Sequence, residues 1–205
     1  MNIFISKPKI LGIGGSPRAH GNSDVILKNL LEGCQHHGVF TEMLHLRDFY
    51  FKPCIGCERC RKDKICTGLN DGMQVMYPKI TSSAGLILIS PTHNYNITAW
   101  MKAFIDRLYC FYEFDNHRPR GWSSRLAGQN RKAVIAAVCE QVDKEDMGFT
   151  LEAMRFPLQA LGYEIIGELP VFGIFDRGAV GKDENALEDA KKLGRRLAES
   201  ILESS

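Results

Sequence analysis

The chain is 205 residues long, 44% hydrophobic and 24% charged, with a formal net charge of +2. That is enough chain for one domain (1–205) with a sizeable core, and too little net charge to argue for nucleic acid or an anionic membrane. The longest apolar runs, such as residues 133–139, are far too short to span a bilayer, and residues 1–7 lack the apolar stretch and cleavage site of a signal peptide. A cytoplasmic protein with no nucleic-acid or membrane partner is expected.

Residues 9–15 (KILGIGG) read as a short buried strand that stops in the turn and cap chemistry of segment 16–23. From Asp24 the apolar spacing turns helical, with Val25, Ile26, Leu27, Leu30 and Leu31 on one face and Ser23 or Asn22 as the N-cap. This helix ends near Gly38, and residues 41–46 alternate as a second strand. A cysteine-rich loop follows. Residues 71–83 predict a helix with Met73, Val75, Met76 and Ile80 inward, and with Pro78 as a kink or a new turn. Residues 85–90 form an unbroken apolar strand, as in a sheet covered on both faces. After the loop 91–96, residues 98–112 predict a helix with Trp100, Met101, Phe104, Ile105 and Leu108 inward. Segment 113–130 reads as a long polar irregular connection, functional or interfacial by its length. Residues 132–139 give a fourth strand, 149–161 a helix stopped by Gly162, 163–172 a fifth strand with Gly167 at a bulge, and 182–202 a C-terminal helix.

Five apolar strands alternating with helices make an α/β protein with a parallel sheet. The expected architecture is a flavodoxin-like three-layer sandwich with strand order 2-1-3-4-5 and the cysteine-rich loop after strand 2. Its ligand sits beyond the C-terminal strand ends, between loops 16–23 and 91–96, with 140–147 as a third wall.

Segment 16–23 brings the hydroxyls of Ser16 and Ser23, the guanidinium of Arg18, the amide of Asn22 and several main-chain N–H groups to a helix N-terminus. Unsatisfied N–H groups and the helix dipole favour an anion there, and Arg18 adds charge-assisted hydrogen bonds. The Gly-Lys-Ser/Thr of a P-loop is absent, and Pro17 stands where a dinucleotide fingerprint needs its third glycine. The loop therefore suits a terminal monophosphate; the plainer alternative is an ordinary capped turn. Pro91-Thr92-His93-Asn94-Tyr95-Asn96 offers main-chain donors and acceptors beside an aromatic ring, which suits the edge of a flat heterocycle. Alone it reads as a solvated turn. With the first loop it has the shape of an FMN site.

Cys54, Cys57, Cys60 and Cys66 fall within thirteen residues, spaced C-x2-C-x2-C-x5-C. Three thiolates on so short a loop converge on one small centre and a fourth closes it, as in iron–sulfur loops. The second C-x2-C overlaps the first through Cys57, which makes a poor zinc ribbon. Cys66 also lacks the following Pro and the three-residue gap of a bacterial ferredoxin loop. Zinc, free thiols or a disulfide stay open as alternatives. Arg59, Arg61, Lys62 and Lys64 either offset the thiolate charge, form a solvated rim, or dock an acidic donor such as ferredoxin. Cys34, Cys110 and Cys139 read as buried structural thiols, with Cys139 next to the expected flavin. Glu113, Asp115, Arg118 and Arg120 shape a substrate mouth or a subunit contact.

Residues 15–23 (GSPRAHGNS) resemble the phosphate loop of the NADPH-dependent FMN reductase family, G-S-x-R-x-x-[GS]-x-S. Asp71-Gly72-Met73-Gln74, Ser90-Pro91-Thr92 and residues 101–107 (MKAFIDR) are similar to later signatures of that family, so that the match covers about residues 9–110. The cysteine loop resembles the iron–sulfur flavoprotein branch, with its C-x2-C-x2-C-x(4–7)-C motif between the second strand and the next helix. The resemblance implies that Ser16, Arg18, Gly21, Asn22 and Ser23 bind the FMN phosphate. It implies that Pro91, Thr92, His93, Asn94 and Tyr95 line the flavin, and that Cys54, Cys57, Cys60 and Cys66 ligate a 4Fe–4S cluster. His93-Asn94-Tyr95 departs from the aromatic-led loop common in the family. The implied activity is electron transfer between cluster and FMN, with the flavin and no side chain carrying the chemistry. NAD(P)H or ferredoxin would be the redox partner, with a small-molecule acceptor. The cluster loop would reach a neighbouring subunit's flavin in a homodimer or homotetramer. Two alternatives are an NAD(P)H-dependent FMN or quinone reductase without a working cluster, and a non-catalytic zinc or thiol redox sensor on the same scaffold.

Overall fold

The apolar runs pair side by side. In the computed structural model, which describes residues 7–35 and 37–204, the strands are β1 (Lys9–Gly14), β2 (Phe40–His45), β3 (Gly85–Pro91), β4 (Tyr112–Phe114), β5 (Trp122–Ser124), β6 (Lys132–Val138) and β7 (Glu164–Val171). The reading of residues 1–7 falls outside the described residues, Lys7 excepted. Five strands form a parallel sheet in the order β2-β1-β3-β6-β7, which is the expected 2-1-3-4-5 once the small hairpin β4-β5 is set aside.

The sheet carries a core on each face because its central strands alternate apolar side chains to both sides. On one face Leu11, Ile13, Leu86, Leu88 and Ile135 meet α3 (Met73–Thr81), α4 (Ala99–Arg107) and α5 (Glu152–Ala160). On the other, Ile10, Ile87, Ile89 and Val134 meet α1 (Asn22–Gln35) and α6 (Glu184–Glu203). The helices α1 and α6 approach so closely that a Cβ at Gly33 or Gly194 would strike the facing backbone. The short α2 (Arg59–Asp63) lies within the cysteine loop. Among the described residues no helix is long and apolar enough to cross a membrane.

Several boundaries differ from the sequence expectation. The helix α1 starts at Asn22, and the Gly21 carbonyl accepts from Asp24 N (3.0 Å) and Val25 N (3.2 Å). Asn22 and Ser23 therefore occupy its first turn instead of its cap. The expected helix 98–112 ends at Arg107 and passes through a 3-10 turn, Leu108–Phe111, into β4. Val75 and Trp100 point outward. Pro78 sits inside α3 without ending it. Segment 113–130 is not irregular throughout: β4 and β5 pair antiparallel, with Tyr112 T-shaped on Trp122 at 5.5 Å. Strands of three residues are too short to show a period. In β7 the residue skipped by the register is Ile166, one before the expected Gly167.

Candidate functional site

The strand β1 delivers the first loop to the C-terminal edge of the sheet. Gly15 N donates to Ile89 O of β3 (2.8 Å), and Gly15 O accepts from the hydroxyl of Thr98, the N-cap of α4 (2.8 Å). Ser16 Oγ accepts from Arg18 N (3.2 Å), so this hydroxyl shapes the loop. At the start of α1 the main-chain N–H groups of Asn22 and Ser23 lack intrahelical acceptors by position. Both residues line a cavity of about 130 Å³ together with Ser16, Arg18 and Gly21.

One carboxylate fastens this loop. Arg47, in the turn after β2, forks onto Asp24 (3.0 and 2.8 Å) and donates to the carbonyls of Ser16 (3.2 Å) and Arg18 (3.4 Å). Asp24 also accepts from His20 N (2.7 Å). Burial holds the neighbouring His45 below the usual imidazole range; Asp24 opposes that shift and Arg47 adds to it.

The far wall comes from segment 174–180, which the sequence reading did not name. Arg18 lies over the Phe175 ring at 4.7 Å, and Ile174, Phe175 and Arg177 line the cavity. Asn22 holds this wall: its amide donates to Asp176 O (3.0 Å) and its side-chain oxygen accepts from Val180 N (3.1 Å). The Asn22 side chain is thus committed to protein, which leaves its main-chain N–H as the group it could offer a ligand.

From the loop after β3, Pro91, Thr92 and His93 line the cavity, with Val138 and Glu140 as the third wall. The lining stops at His93. Asn94 and Tyr95 form the tip of a tight turn, with φ of 49° and 63°, closed by the pair His93 N to Asn96 O (2.8 Å) and Asn96 N to His93 O (3.1 Å). Thr92 is steadied by the buried Thr150 hydroxyl at 3.1 Å. Cys139 is buried beside Ala137 and Met147, off the lining.

The four loop cysteines line a second cavity, of about 140 Å³, with Gly68, Arg107 and Tyr109. Left-handed residues at Gly56, Glu58 and Lys64 turn the chain so that positions far apart in the loop face one space. The loop is tied down from outside. Gln74 donates to Cys66 O (2.8 Å) and Leu69 O (3.0 Å), Lys64 pairs with Glu113 (3.1 Å), and Arg125 donates to both Lys64 O and Cys110 O. Of the four basic residues expected around the ligands, Arg61 pairs with Glu58 and covers the Phe114 ring, Lys64 is paired as above, and Arg59 and Lys62 are exposed.

Among the described residues no three His, Cys, Asp or Glu side chains close around a single ion. Burial, reinforced by Cys66, Cys54 and Cys57, pushes the Cys60 thiol above its ordinary pKa. Four thiolates gathered in one small space need a cationic centre to balance their charge, so the donor set fits a metal–sulfur group. Burial pushes Cys110, beneath the loop, up to about 12, and Cys34 likewise; both are inert thiols.

The family described as NADPH-dependent FMN reductase matches residues 8–142. The chain belongs to that family. An iron–sulfur flavoprotein of Archaeoglobus fulgidus is 30% identical over 193 residues, covering 94% of this chain and 80% of that protein. One of Methanocaldococcus jannaschii is 26% identical, covering 94% and 97%. These place it in the iron–sulfur flavoprotein branch. A solved flavone reductase superposes with a TM-score of 0.70 at 15% identity, over 96% of this chain and 64% of that one, which is a likeness of fold. This flavoprotein is an FMN-dependent oxidoreductase, and its flavodoxin-like sheet puts the first cavity at the edge where β1 and β3 diverge.

Arg47 and segment 174–180 were missed for different reasons. The parallel register sets Gly14 beside His45, which carries Arg47 to loop 16–23. The only sequence signal was Asp24, an acidic residue in the first turn of a helix expected to hold an anion. Phe175 and Arg177 lie more than 150 residues from Asn22, in a stretch without period.

Proposed function

We propose that this flavoprotein passes electrons between a 4Fe–4S cluster on Cys54, Cys57, Cys60 and Cys66 and FMN. The FMN phosphate would rest on Ser16, Arg18, Gly21, Ser23 and the main-chain N–H of Asn22. Pro91, Thr92 and His93 would border the ring, with Asn94 and Tyr95 shaping the turn above it. FMN supplies one- and two-electron redox chemistry when bound, and no side chain is assigned a covalent role. The residues here bind, orient and exclude water: Arg47 and Thr98 hold the phosphate loop, and Asn22 holds the Phe175 wall over it.

The observation that carries this reading is that α4 links the two cavities. Its cap, Thr98, bonds Gly15 of the phosphate loop, and its last residue, Arg107, lines the four-cysteine cavity. Nine residues of rise separate these ends by about 14 Å. The redox partner is a ferredoxin-type protein, met by the exposed Arg59 and Lys62, or NAD(P)H, with a small-molecule acceptor. The assembly is a homodimer or homotetramer in the cytoplasm, with Trp122 and Ile55 exposed near the cysteine loop.

Purification without oxygen tests the reading. The expected preparation holds FMN with about four irons and four sulfides per chain. FMN without iron or sulfide refutes it. The family's NADPH dependence supports one second reading, a reductase that works without a cluster. Rapid NADPH oxidation unaffected by Cys57→Ser would select that reading.

A further inference from the structure

We infer that Arg107 is a positioning residue for the cysteine site, donating a charge-assisted hydrogen bond to the Cys66 sulfur and biasing the redox balance of the group held there. The inference rests on the iron–sulfur reading above. Arg107 is among the largest fully buried side chains, 2% exposed. Its guanidinium forks onto Asp71 (2.7 and 3.1 Å), donates to Lys52 O (2.8 Å), and reaches Cys66 Sγ at 3.5 Å. Its Nε has no protein acceptor among the described residues. Asp71 is saturated: besides the fork it accepts from Lys52 N (3.1 Å) and Met73 N (3.1 Å).

A buried ion pair is a poor device for stability, because desolvation offsets most of the attraction and a packed apolar pair serves as well. An apolar pair could join residues 52, 71 and 107, but it could not donate to sulfur. The guanidinium is also the nearer member of the pair to the cavity, since Arg107 lines it and Asp71 does not. Hydrogen bonds and positive charge at a ligand sulfur favour the more negative, reduced state. Asp71 works in the opposite sense through the same contact. A tie that merely held the loop would not give substitutions at these two residues opposite signs.

The test is an anaerobic redox titration of the full chain, following cluster and flavin separately, with iron counted in each variant. In Arg107→Gln the cluster's reduction equilibrium is expected to fall at least tenfold, which is 59 mV for one electron. Arg107→Lys, keeping charge without the fork, should shift the same way but less. Asp71→Asn should shift the cluster upward, and the flavin couple should hold in all three. If Arg107→Gln fails to fold or loses its iron, the opposed signs of Arg107→Lys and Asp71→Asn decide. A wild-type chain without iron overturns the proposed function and this inference with it. A wild-type chain with iron, and variants whose cluster does not move or moves in one direction only, overturns this inference alone.

Discussion

Replacing Arg47 by alanine should separate the two jobs proposed for loop 16–23, folding and holding FMN. Arg47 and Asp24 are 12% and 11% exposed as side chains, so the fork sits in a largely water-poor setting. Removing one member of such a pair strands the other, at a cost of about 3 kcal/mol, the low end for buried pairs because His20 N still serves Asp24. The carbonyls of Ser16 and Arg18 also lose their donor, and the loop must then order itself on FMN. One charge-assisted hydrogen bond of ordering, about 1.5 kcal/mol, corresponds to roughly tenfold weaker FMN binding. Urea unfolding of the FMN-free chain gives the first quantity, read from the midpoint at constant slope. Fluorescence titration of the same preparation with FMN gives the second. Arg47→Lys, keeping the charge and losing the fork, should fall between. Affinity within twofold of wild type, alongside the full stability loss, would refute the idea that Arg47 preorganises the loop.

Asn22→Ala should free the segment 174–180 wall at a cost of about 1–3 kcal/mol in lost and unsatisfied hydrogen bonds. Limited proteolysis should then cut that segment faster and FMN should dissociate faster, and an unchanged cleavage pattern counts against the assigned role. Gly68→Ala places a Cβ against Cys57 Sγ. A free thiol swings aside and a ligated one cannot, so the iron-to-flavin ratio should drop by at least half while the urea midpoint barely moves; an unchanged ratio contradicts the ligand assignment. For Asp71, burial alone would push the carboxyl up, but hydrogen bonds from Arg107, Lys52 N and Met73 N outweigh it and hold it below the ordinary carboxylate range. A carboxyl depressed in the folded state adds stability above its unfolded pKa, and that stability is lost as pH falls through the folded value. Acid unfolding should therefore steepen below the normal Asp range, and Asp71→Asn should flatten that limb; identical acid limbs would remove Asp71 from the account.

The elements that sequence pattern exposed are those whose physics is local. The unbroken run 85–90 announced a strand buried on both faces, and it is β3 at the centre of the sheet. The turn chemistry of 16–23 announced a loop opening a helix, and it leads into the N-terminus of α1. The C-x2-C-x2-C-x5-C spacing announced one shared space, and the four thiols line one. What escaped is non-local. The loop's arginine clamp has its carboxylate 23 residues away, and the cysteine cavity's arginine has its carboxylate 36 away. Either pair can be seen only once β2 lies beside β1 and α4 has been laid against the turn before α3. Asn22 makes the same point from the other side. Its residue type was right for a phosphate loop, yet its amide is spent on carbonyls more than 150 positions later. Both candidate sites are thus built alike: a short loop lining a cavity, braced by an arginine forked onto an acid from elsewhere in the chain. If the loops carry the ligands as proposed, the two forks, Arg47 on Asp24 and Arg107 on Asp71, set where those ligands stand, and substitutions in either fork should disturb cofactor retention before they unfold the chain.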